Sequence, residues 1–202
     1  MSAVRTHERD GSRAFVTVVS GLPRSGTSLV MQMLRAGGMP VLAHDARPPD
    51  IDNPAGYLEY APVLRTATDA SWVASAPGHA VKVIYALLRH LPPAFEYRVL
   101  WMRRDLAEVI ASQQAMLARR GAAPPEQPSP ARLARVFAAQ LDETERWLAQ
   151  RADFRVLALG HRDVVSDAPA AAAAIDAFLG GRLDRAAMAG AVDPALYRQR
   201  RP

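Results

Sequence analysis

Apolar residues 14–20, AFVTVVS, run almost without interruption into the turn GLPRSGT, after which Leu29, Val30, Met33 and Leu34 recur at helical spacing. The valine-rich run predicts a central parallel strand covered on both faces, and the second pattern predicts a helix that Gly37 and Gly38 end. MPVLA (39–43) predicts a short second strand, and the following HDARPPDIDNPAGYLEY is too rich in proline and aspartate for regular structure. A loop of that length inside a compact domain is usually functional. HAVKVIY (79–85) and YRVLWMRR (97–104) predict two more buried strands. The latter leads into a helix that Asp105 caps, with Glu108 three residues on completing a capping box.

RRGAAPPEQPSP breaks the pattern, so residues 121–130 read as a lid or a plain linker. Ser129 and Pro130 then open a long helix with Leu133, Val136, Phe137, Leu141 and Leu148 on one side. FRVLAL (154–159) predicts a further strand, and DAPAAAAAIDAFLGG a helix built on alanine's strong helix propensity. Strands alternating with helices predict an α/β fold: three layers, α/β/α, around a central parallel sheet, with ligands at the carboxyl ends of the strands. Residues 14–202 read as a single domain with no internal repeat, and polar residues 1–13 as a disordered N-terminal segment.

Composition narrows the chemistry. Among 202 residues, half are apolar and 22% charged, which suits one globular domain with a real core. No cysteine is present, so disulfides, thiolate zinc sites and cysteine nucleophiles are excluded. The polar start has no apolar leader core, and no run approaches the roughly 20 residues that span a bilayer, which predicts a cytoplasmic protein without a membrane span. The net charge of +5 invites a nucleic-acid reading, but the arginines are scattered, aromatics make up 6% and no base-reading motif occurs. An anionic small molecule, or a bland basic surface, accounts for the charge instead. Lys82 is the only lysine. Where arginine is the default cation, a lone lysine marks either a place that needs a compact ammonium or a leftover surface residue.

The chemistry concentrates in the first turn. Gly21 and Gly26 occupy the two glycine positions of the Walker pattern, but Thr27 stands where that pattern has lysine, and Ser28 follows. Backbone amides there would still attract an anion. With no lysine for a γ-phosphate and no clear aspartate for magnesium, a nucleoside triphosphate is poorly served. Arg24, inside the loop, suits a shorter group.

GLPRSGTS resembles the 5'-phosphosulfate-binding loop of the sulfotransferases, which use 3'-phosphoadenosine 5'-phosphosulfate (PAPS). RRDLAEVIAS resembles their second motif, an arginine at a strand end and a serine eight residues later that hold the donor's 3'-phosphate; Arg104 and Ser112 have this spacing. A helix starting after Asp105 puts Ser112 about 10 Å along it, a gap that an extended arginine and a phosphate can bridge. Arg103 is the alternative partner. FRVLALGHRDVVSDAPAAAAAIDAFLGG resembles the family's late strand, loop and helix, with His161 and Arg162 where the family often has tyrosine and glutamate. Asn53, Pro54, Gly56, Tyr57 and Glu59 match the NPxGYxE segment of small bacterial members.

The resemblance implies a sulfotransferase with a P-loop-like fold, PAPS as donor and no metal. It places the donor on Pro23, Arg24, Ser25, Gly26, Thr27, Ser28, Arg104 and Ser112. Arg24 would offset the leaving group's charge, and Glu59 would be the base, with His44, Asp45 and Asp52 as alternatives; Lys82, on its uniqueness and its place in a central strand rather than on the resemblance, would supply an ammonium. Tyr57 and Trp72 read as packing or as acceptor stacking. The YRQRR segment reads as a phosphate neighbour or a solvated tail. The acceptor, whether sugar, lipid, phenol, metabolite or peptide, has no sequence signature, and neither has the oligomeric state. Two rivals stand beside this: a divergent nucleotide kinase or NTPase, and a non-catalytic nucleotide-binding module.

Overall fold

A computed structural model describes residues 14–43, 50, 53, 56–119, 121 and 128–197. Four strands, β1 (Val16–Gly21), β2 (Ala80–Lys82), β3 (Tyr97–Arg103) and β4 (Phe154–Gly160), form one sheet in the order β2-β1-β3-β4. Every pairing is parallel. The helices are α1 (Thr27–Ala36), α2 (Leu106–Arg119), α3 (Pro130–Ala149), α4 (His161–Ser166), α5 (Ala168–Leu179) and α6 (Arg185–Gly190).

Side chains alternate across the two central strands, as strand geometry requires. Val18, Val99 and Trp101 enter a core with Trp72, Leu88 and Phe154, against which Leu141, Trp147 and Leu148 of α3 pack. Val19, Leu100 and Met102 enter the opposite core, with Val30 and Leu34 of α1, Ile175 of α5 and Met188 of α6. The sheet is therefore covered on both faces, which is the expected three-layer α/β/α arrangement. It also explains why β1 reads as unbroken apolar sequence: all six of its residues are buried.

Two expected strands come out differently. MPVLA forms no strand; Val41 makes only an isolated bridge to Ala80. Pro40 accepts a bond from the Ala80 amide but has no N–H to return, so the ladder does not extend. The strand expected over 79–85 stops at Lys82, and Tyr85–His90 turn into a 3-10 helix. Of the apolar residues that suggested a longer strand, Val83 enters the core and Tyr85 opens this turn, whose Leu88 is also a core residue.

Helices α4 and α6, six residues each, were not foreseen. Among the described residues no helix is long and apolar enough to cross a membrane. The expectations for residues 1–13, most of the 121–130 segment, His44, Asp45, Asp52 and all of YRQRR except Tyr197 lie outside the described residues.

Candidate functional site

The strands all point one way, so their carboxyl ends deliver Gly21, Lys82, Arg103 and Gly160 to the same edge of the sheet. There a cleft of about 300 Å³ opens. Its lining includes loop residues Pro23, Arg24, Gly26, Thr27 and Ser28, together with Glu59, Lys82 and Arg104. The site is thus assembled from the loop after β1 and the ends of the neighbouring strands.

Packing explains both glycines of the loop. A Cβ on Gly21 would lie 2.7 Å from the Met102 carbonyl oxygen, and one on Gly26 would lie 2.5 Å from Cδ2 of His161. Gly26 also has φ +102°, which only glycine adopts without strain. Arg24 is left-handed too, at φ +74°. Behind the loop α1 starts with no side-chain cap and no acidic residue in its first turn. By contrast α3, α5 and α6 are capped by Ser129, Asp167 and Asp184. The positive end of the α1 dipole is therefore left to face the cleft.

Arg104 approaches this loop from the end of β3. Its NH1 donates to the Arg24 carbonyl at 3.0 Å and its Nε to Glu108 Oε2 at 3.0 Å. Arg103 turns the other way and pairs with Glu145 of α3. Of the two adjacent arginines, then, Arg104 is the one at the cleft. Arg24 reaches across to α2, where its Nε donates to Ser112 Oγ at 3.0 Å. Ser112 is buried and sits behind Arg24, outside the cleft lining. Ser25 is also turned inward: its amide donates to the Leu22 carbonyl, and its buried Oγ has no partner among the described residues.

Lys82 is no surface residue. Its side chain is 9% exposed, and Nζ donates to Ser28 Oγ at 3.0 Å and to the Tyr57 carbonyl. Glu59 Oε1 stands 3.7 Å from the same ammonium, with its side chain 44% exposed. The NPxGYxE segment is fastened to α1 by Gln32, whose Nε2 donates to Asn53 Oδ1 and the Gly56 carbonyl. Tyr57 OH donates to Asp50, and Trp72 Nε1 to Thr66 Oγ1. Both rings are buried, so they pack, although Tyr57 also borders the cleft.

Sequence reasoning missed part of this arrangement. Asp105 caps α2 as expected, its Oδ1 accepting from the Ala107 and Glu108 amides. Glu108, though, is a buried carboxylate that holds Arg104 and accepts from Tyr197 OH at 2.7 Å. The four-residue step from Arg104 to Glu108 was the available signal. His161 lies against Gly26, and burial, followed by the neighbouring Arg104, pushes its pKa down to about 4. The ring is neutral at pH 7, and its Nδ1 has no partner among the described residues.

No family model matches this sequence, and no curated protein matches it. The solved structures that resemble its fold include two sulfotransferases. A sulfotransferase domain from the curacin biosynthetic pathway aligns at TM-score 0.55 and 14% identity, over 93% of this chain and 92% of that one. Mouse sulfotransferase SULT7A1, complexed with PAP, aligns at TM-score 0.52 and 16% identity, over 90% of this chain but 63% of that one. The chain has the fold of these sulfotransferase domains, an α/β fold built on a parallel sheet.

Proposed function

We propose that this protein moves a sulfuryl group from PAPS to a hydroxyl or amine of a small-molecule, carbohydrate or peptide acceptor. One observation carries the proposal: a glycine loop without the Walker lysine lies at the uncapped start of α1, and Arg104 is seated on that loop's own backbone. An amide-lined turn suits the 5'-phosphosulfate, and a guanidinium set apart from it suits a second phosphate. The PAP in the mouse enzyme, read as adenosine 3',5'-bisphosphate, is a ligand of that kind.

In this scheme Thr27, Ser28 and the loop amides hold the 5'-phosphosulfate, and Arg104 binds the 3'-phosphate. Ser112 acts with Arg24, whose guanidinium it already accepts from. The acceptor oxygen or nitrogen forms its bond to sulfur as the bond from sulfur to the 5'-phosphate oxygen breaks. The electron pair stays on that oxygen, where Arg24 and the Lys82 ammonium beside Ser28 offset the growing charge. Arginine keeps its proton throughout the physiological range, so Lys82 is the better proton source for the leaving oxygen. Glu59, at 3.7 Å from Lys82, takes the acceptor's proton.

Calorimetric titration with adenosine 3',5'-bisphosphate, ADP and ATP, with and without magnesium, tests this. The expected result is micromolar binding of the bisphosphate, selective over ADP and lost in Arg104→Ala. Glu59→Gln should bind it equally well while turnover falls. Preference for magnesium ATP would make the protein a kinase or NTPase. Bisphosphate binding without transfer to any acceptor would make it a binding module, and no binding would reject all three.

A further inference from the structure

Glu108 poses an electrostatic problem. A carboxylate that is only 5% exposed sits beside the arginine that would bind a phosphate. Left to itself it would claim the whole guanidinium fork and repel an incoming anion. Among the described residues its charge is shared by Arg104 through Nε, Arg162 at 3.8 Å, and Tyr197, whose hydroxyl lies 2.7 and 2.8 Å from the two carboxylate oxygens. Arg104 thus meets Glu108 through Nε, while its NH1 turns to the Arg24 carbonyl.

Tyr197 is held in turn by its ring. The Arg104 guanidinium lies 5.1 Å from the ring centroid, and His161 packs edge-on at 4.7 Å. His161 closes the circuit, because it rests on Gly26 of the loop. Contacts therefore run from Gly26 through His161, Tyr197, Glu108 and Arg104 back to Arg24. The residue after the short 3-10 turn Pro194–Leu196 is thereby linked, through His161 and Arg104, to Gly26 and Arg24 of the glycine loop.

We infer that Tyr197 is a positioning residue that, by satisfying Glu108, keeps Arg104 aimed at a phosphate on the nucleotide's 3' carbon and so sets the preference for 3'-phosphorylated donors. This rests on the role proposed above for Arg104. Without the hydroxyl, Glu108 lacks one donor and draws more of the guanidinium to itself, and the cost falls on the 3'-phosphate alone.

Tyr197→Phe removes the hydroxyl and keeps the ring packing. Wild type and variant are titrated with adenosine 3',5'-bisphosphate and with 5'-AMP, which differ only in the 3'-phosphate, and their melting temperatures are compared. In the variant, bisphosphate affinity falls roughly tenfold, as for loss of a charge-assisted hydrogen bond, while AMP affinity and melting temperature hold. An unchanged ratio of the two affinities, whether both fall or neither does, overturns the positioning role and leaves the proposed function standing. A wild type that does not prefer the bisphosphate over AMP overturns both.

Discussion

At the residue scale, His161 gives a pH-dependent test. Its pKa is about 4 in the folded protein against 6.5 for the free side chain, so between those values the unfolded chain binds a proton that the folded one does not. The stability of the neutral ring is present in full above pH 6.5 and is lost as pH falls toward about 4. The difference is on the order of 3 kcal/mol at most. Denaturant unfolding of wild type and His161→Asn across this window should show wild type losing more stability toward acid. Equal slopes would mean that the ring gains a proton without cost. The same proton would put a cation beside Arg104, on the wall of the cleft.

At the element scale, α1 and α2 start in opposite ways. α2 carries Asp105 as its cap, whereas α1 has no side-chain cap. Replacing Asp105 by Ala should cost about 1 kcal/mol and lower the melting temperature by about 2–4 °C, which thermal unfolding would register. The elements were legible in proportion to their length and regularity. β1, β3 and β4 fell within a residue or two of their apolar runs; for β1 and β3 this is because strands covered on both faces leave little room for polar residues, whereas β4 lies at the edge with Arg155, Val156 and Ala158 exposed. β2 was overestimated, since an apolar 3-10 turn follows it and the two look alike in sequence. α4 and α6 are too short to display a helical period. The site divided similarly. The glycine loop, Arg104 and Ser112 sit in contiguous motifs, and Lys82 stood out by composition. The bond between Tyr197 and Glu108 joins residues 89 positions apart, and no local spacing encodes it.

At the scale of the whole molecule, the two ends of the cleft rest on supports of different kinds. The loop and Arg104 hang from β1 and β3, which pair over six positions in the middle of the sheet. Lys82 and Glu59 hang from β2, which pairs with β1 over three positions, and from chain with no strand or α-helix between residues 56 and 79. Short 3-10 turns, Ala61–Arg65 and Ser71–Ser75, carry that stretch. Local opening therefore costs less on the Lys82 side. In native-state hydrogen exchange followed by mass spectrometry, amides of residues 61–75 should take up deuterium well before those of β1 and β3. Simultaneous uptake would mean that the sheet and the turns open as one unit. Under the proposed function, a three-residue strand at the sheet's edge has an evolutionary consequence as well: the segment that would meet the acceptor can be rewritten, lengthened or traded between lineages while the berth proposed for the nucleotide stays fixed, so substrate range and donor chemistry would be free to evolve at different speeds.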